Sequence, residues 1–215
     1  MNLKIPKLIL LIWLGLIISV VWSLYSQRWP AAFISVLTFV LTVLTLRLEN
    51  RFEIKMPRSF SVVIIIFIYS TLFLGEVGDF YEKFWWWDVV LHGGSAMAFG
   101  LFGFLGVFMM FQGDRFAAPP IAIAILSFCF AVTIGVIWEI FEYAMDQSFG
   151  LNMQKSGLRD TMWDLIVDCV GASIGAGSGY LYLHAKEKSG PLRLWIDDFI
   201  AKNRRYFKRL GTDKS

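Results

Sequence analysis

An all-α transmembrane bundle of about six spans is the fold this sequence predicts, on three observations. Hydrophobic residues make up 57% of the 215 positions and charged residues 17%, with a mean hydropathy of +0.60. A soluble domain of this length needs polar surface that such a composition does not supply. Six apolar runs are about as long as the roughly 20-residue helix that crosses 30 Å of hydrocarbon. Finally, lysine and arginine fall heavily on alternate loops, as they do in multi-pass proteins.

The spans follow in order at about 7–25, 31–47, 59–77, 84–111, 119–147 and 160–184. The first, after Met1–Lys7, has the outline of a signal peptide. No small-x-small cleavage site follows it, so it is read as a retained span. The third runs into the acidic loop Gly75-Glu-Val-Gly-Asp-Phe-Tyr-Glu82, and the fourth opens on Phe84-Trp-Trp-Trp87, an aromatic run suited to the membrane interface. Pro119 and Pro120 open the fifth, where a missing backbone donor does little harm. Together these form one membrane domain over 1–185, followed by a basic tail over 186–215.

With six spans, both termini share a side with the loops after the second and fourth spans. That side carries Lys4, Lys7, Arg47, Arg51, Lys55, Arg58, Arg115 and the nine basic residues after Leu183, sixteen in all. The other side carries Arg28, Lys83, Lys155 and Arg159. The positive-inside bias therefore predicts an inner-membrane protein with both termini in the cytoplasm.

Acidic residues inside three of these spans are the exception to the apolar pattern. The fourth carries Asp88 and His92, the fifth Glu139, Glu142 and Asp146, and the sixth Asp160, Asp164 and Asp168. Offsets of three, four, seven and eight put each set on one helix face. The fourth and sixth spans begin, and the fifth ends, on the side away from the cytoplasm, so all three stripes fall in the outer half. At 1.5 Å per residue, His92 lies about 12 Å from Phe84, Glu139 about 13 Å before Ser148 and Asp168 about 12 Å after Asp160. The stripes share a depth.

An unpaired carboxylate near the bilayer centre costs at least about 2.5–3.5 kcal/mol. These groups must be neutralised, face water or hold a cation. The expected metal ligands are Asp88, His92, Glu139, Glu142, Asp164 and Asp168, with Arg159 and Asp160 as substrate-contacting or charge-balancing residues. Oxygen donors with one imidazole suit Mg, Mn, Zn or Fe. The plainer alternatives are a solvated helix end for Asp146, a helix cap or first-turn position for Asp160, an interfacial Asp88 and a hydrogen-bonded core histidine for His92.

The remaining features read more simply. Gly171, Gly175 and Gly179 on the sixth span, and Gly100, Gly103 and Gly106 on the fourth, are spaced for close helix packing. Cys129 and Cys169 lie in apolar runs and read as small buried hydrophobes. A net charge of +3 gives no footprint for nucleic acid. In the tail, Trp195, Ile196, Phe199, Ile200, Phe207 and Leu210 interleave with Lys202, Arg204, Arg205, Lys208 and Arg209. That pattern predicts an amphipathic helix on the cytoplasmic leaflet, drawn to anionic lipid.

The segments Trp87-Asp-Val-Val-Leu-His92-Gly-Gly-Ser, Trp138-Glu-Ile-Phe-Glu142-Tyr and Arg159-Asp-Thr-Met-Trp-Asp164-Leu-Ile-Val-Asp168-Cys-Val-Gly171-Ala resemble those of YjdF-type inner-membrane proteins. More distantly, their order is similar to that of VanZ-like proteins, with Asp168 where that pattern tends to have Asn. The VanZ resemblance implies a role at the cell envelope. The residues leave two functional classes open. One is a metal-dependent enzyme acting on a lipid or lipid-linked substrate at the outer leaflet. The other is a non-enzymatic accessory or envelope-stress protein, or an ion-coupled carrier. No HExxH, phosphatase-type histidine pair or serine-nucleophile motif is present.

Overall fold

The computed structural model of the chain describes residues 6–48, 55, 57–111, 118–184 and 191–207. Lys4, Arg51, Arg115 and, in the tail, Lys186, Lys188, Lys208, Arg209, Leu210 and Lys214 lie outside the described residues. No strand occurs among the described residues, and six helices are long and apolar enough to cross a membrane. The all-α expectation is met. The chain divides into two compact units, residues 1–87 and 88–215.

In the first unit, α1 (Lys7–Tyr25) and α2 (Trp29–Leu48) form an antiparallel hairpin. Trp13 Nε1 donates to Thr42 Oγ1 at 3.0 Å, and the hydroxyls of Ser19 and Ser35 meet at 3.0 Å. As residue numbers rise on α1 they fall on α2. Small hydroxyl residues suit this contact, because Ser35, Thr38 and Thr45 also hydrogen-bond their own helix carbonyls and bury no unpaired donor. The third span begins as α3 (Arg58–Ile68), whose Ile65 packs into a cluster with Ile9, Ile12 and Leu16. It then continues as a π-helix over Tyr69–Val77. The expected acidic loop is thus largely helical, since a short α4 (Phe80–Lys83) follows at once. Asp79 takes the left-handed conformation between them, a backbone choice Asp tolerates.

The second unit holds α5, α6, α7 and α8. Helix α5 (Trp86–Met110) starts two residues later than the sequence suggests, because Phe84 is extended. Helix α6 (Pro120–Phe149) begins with Pro120 at its first position and ends where Gly150 turns left-handed and donates to the Asp146 carbonyl at 3.0 Å. Its 30 residues rise about 45 Å, more than one hydrocarbon thickness. Helix α7 (Leu158–His184) returns antiparallel to α6.

Close backbone contact sets the α5–α7 pairing. A methyl group added at Gly171 would strike the Gly93 carbonyl, and one at Gly175 would strike the Met97 carbonyl. Added at Gly179 it would run into the Phe104 ring. Numbers rise together on the two helices, so α5 and α7 run parallel. Gly103 lies against Ser127 and Phe130 of α6, which runs the other way. Gly106, expected to join this packing, faces open space. Cys129 and Cys169 are free thiols, and Cys129 is exposed rather than buried.

The tail helix α8 (Pro191–Lys202) is docked on its own unit. Ile196, Phe199 and Phe207 are buried, Phe207 packing against Phe108 with ring centroids 5.6 Å apart. Tyr182 on α7 donates to Asp197 at 2.9 Å, and Arg193 lies over the Tyr182 ring at 4.7 Å. Trp195 and Ile200, the other described apolar positions of the tail pattern, are half-buried.

Candidate metal centre

The parallel α5–α7 pair and the antiparallel α6 carry their acidic stripes to one end of the second unit. His92 sits two turns into α5, Glu139 about 15 Å from the end of α6, and Asp164 and Asp168 about 9 and 15 Å into α7, by helical rise. All four are buried, with Glu139 only 4% and Asp168 only 2% exposed. The Asp88 side chain, 32% exposed, is the open edge of the group.

His92 is the hub. Its Nδ1 lies 3.3 Å from Asp168 Oδ1, while Nε2 faces Asp88 Oδ1 at 3.8 Å and Glu139 Oε1 at 3.9 Å. Ligand atoms of Asp88, His92 and Asp164 all fall within 4.8 Å of one another. The two longer separations are beyond hydrogen bonding. They match the spacing of atoms that share one cation, since two ligands each about 2.1 Å from an ion stand roughly 3–4 Å apart.

Three buried oxygens here lack a hydrogen-bond partner among the described residues: both of Glu139 and Oδ2 of Asp168. Thr161 approaches Glu139 without reaching hydrogen-bond geometry, and its hydroxyl accepts from Gln154 Nε2 at 2.5 Å. Buried carboxylates without donors are costly, and protonation, water or a cation would each relieve Glu139.

The other expected residues fall outside this inner group. Glu142 is half-buried one turn further out, and its Oε1 accepts from Trp138 Nε1 at 2.9 Å on its own helix. Asp160 is half-buried in the first turn of α7. Arg159 is exposed and makes no ion pair among the described residues. Asp146 has a structural task, accepting from the backbone N–H of Met153 at 2.7 Å and of Gln154 at 2.9 Å. One participant escaped the sequence reading: Gly135, where an added methyl would strike the Asp168 carboxylate. Its signal was its place four residues before Glu139, on the same helix face.

Below the group, Ala96, Ala131 and Ala172 form a small-residue core that lets the three helices close up.

A family model described as "Predicted membrane protein (DUF2238)" matches residues 8–185, which include every residue of this group. A protein of Thermotoga maritima, described as "Uncharacterized protein", is 31% identical over 106 residues, covering 49% of this chain and 53% of the relative. The chain thus spans about half the length of that relative. No solved structure matches the chain.

Proposed function

The chain belongs to the DUF2238 family of predicted membrane proteins, and from that premise we propose that it binds a divalent cation among α5, α6 and α7. Its YjdF-type resemblance fits this family, whereas its likeness to VanZ-like proteins rests on residue pattern alone. The reading is carried by Glu139, whose two oxygens are buried without a donor and whose Oε1 points at His92 Nε2. Asp88, His92, Glu139 and Asp164 would hold the ion. Three carboxylates and one imidazole suit Mg, Mn, Zn or Fe.

The site lies in the outer half of the cytoplasmic membrane, with both chain termini in the cytoplasm. That orientation rests on the positive-inside bias. A cation there would polarise a phosphoryl oxygen or acidify a bound water. With Asp88 as the open edge, the function that fits is metal-dependent chemistry on a lipid or lipid-linked envelope substrate. An ion-coupled carrier fits less well. Ser127, Ser173 and Ser178 hydrogen-bond their own helix carbonyls, and Gly and Ala fill the α5–α7 contact. Among the described residues, no polar ladder extends the site through the unit.

Element analysis of detergent-purified protein tests the cation. The expected result is a stoichiometric divalent metal that Glu139→Gln removes. Metal-free protein whose melting temperature ignores both chelator and added cation would overturn the proposal.

A further inference from the structure

We propose that Asp168 is a positioning residue rather than a ligand, holding His92 so that Nε2 faces the cation, from a notch that Gly135 keeps open. The inference rests on the cation reading above and assigns His92 and Asp168 different tasks within it.

An ionised carboxylate only accepts hydrogen bonds, so with Asp168 ionised the proton between His92 Nδ1 and Asp168 Oδ1, 3.3 Å apart, belongs to Nδ1. In the neutral imidazole the lone pair then sits on Nε2, the nitrogen that faces Asp88 and Glu139. The two ring nitrogens point apart, which sets Asp168 behind the histidine relative to that side. Metal-bound histidines commonly donate their second N–H to a carboxylate in this way, which fixes tautomer and ring orientation.

Gly135 supplies the second observation. A methyl there would meet Oδ2 and Cγ of Asp168, so the unpartnered Oδ2 lies against the α6 backbone at Gly135. Any larger residue at 135 would displace the carboxylate and release the imidazole. Asp168 is also the most buried acid of the group, at 2% exposure, whereas the open edge is Asp88. The three helices thus divide the work: α5 brings the imidazole, α7 the group that orients it, and α6 both a ligand and the space.

The chain has two histidines, so His184→Gln leaves His92 as the sole imidazole. This 215-residue chain, with isotope-labelled histidine and loaded with NMR-active cadmium, should show cadmium–nitrogen coupling at Nε2 and a proton on Nδ1. Coupling at Nδ1, or bound cadmium with no coupling to His92, would overturn the assignment. Failure to take up cadmium at all would instead remove the cation reading. Asp168→Asn and Gly135→Ala should each weaken cadmium binding by about 10–100-fold, the usual cost of a lost outer partner, with coupling at Nε2 retained at saturation. Gly106→Ala, in open space, should leave affinity unchanged. If Asp168→Asn abolishes uptake as fully as Glu139→Gln does, Asp168 is a ligand and the proposal fails. Should Gly135→Ala not fold, the coupling measured at the unsubstituted site still decides.

Discussion

Asp146 and Glu139 lie seven residues apart on one face of α6, yet their carboxylates meet opposite surroundings. Asp146 takes two backbone N–H groups and pins the segment that enters α7. Glu139 takes none. Hydrogen bonds to a charged acceptor contribute about 1.5–3 kcal/mol, so Asp146→Ala should lower the melting temperature in detergent and expose 150–157 to protease. Its divalent uptake should persist. Glu139→Gln should do the reverse, abolishing uptake while the metal-free protein melts no lower than the wild type, because removing an unpaired buried charge removes a cost. Melting curves with and without chelator separate the two. A metal-free Glu139→Gln protein much less stable than metal-free wild type would show that Glu139 has a structural partner.

At the scale of elements, the α5–α7 contact and the docking of α8 make different demands on sequence. Gly175 faces the Met97 carbonyl, whereas Gly177, on another face of α7, meets nothing. Gly175→Val should therefore lower folded yield and melting temperature, and Gly177→Val should change neither. The register that places His92 against Asp168 depends on this contact, so Gly175→Val should also reduce cation uptake. Phe199 is buried on the inner side of α8. Phe199→Ala should cost about 3–5 kcal/mol if the cavity does not collapse, enough to free the tail for limited proteolysis before the membrane helices unfold. Simultaneous loss of tail and helices would mean that α8 is not a separately docked element.

For the whole molecule, orientation and cation linkage are the measurable properties. Lys155 is exposed between α6 and α7. In a background where Cys129 and Cys169 are replaced by Ala, Lys155→Cys should react with a membrane-impermeant maleimide in intact cells. Reaction only after permeabilisation would invert the topology. A ligand that binds only the folded state stabilises it by about 2.7 kcal/mol at one hundred times its Kd, so saturating divalent cation should raise the melting temperature of wild type and not that of Glu139→Gln. Much of this architecture was legible beforehand. The six spans emerged within two or three residues, because hydropathy over about 20 positions is a property of one segment. The acidic stripes emerged too, because helical periodicity places Asp164 and Asp168 on one face. The π-helix over Tyr69–Val77 left no such trace, since its composition resembles that of any apolar helix.

Sequence alone determined that this chain forms apolar helices of membrane-spanning length, that their buried acids form stripes, and that His92 lies among them. Only the tertiary structure decided which stripe members meet. It turned Asp146 to the backbone, Glu142 to Trp138 and Arg159 to the surface, and it brought Asp88, Glu139, Asp164 and Asp168 around His92. It also buried Ile196 and Phe199 of α8 while leaving Leu194 exposed. The reason is one of range. Periodicity and hydropathy act within a single helix, whereas the partnership of His92 with Asp168, 76 positions away, depends on how closely two backbones approach. That distance is set by absent side chains, at Gly93, Gly135, Gly171 and Gly175, and a missing methyl group has meaning only once its neighbour is known.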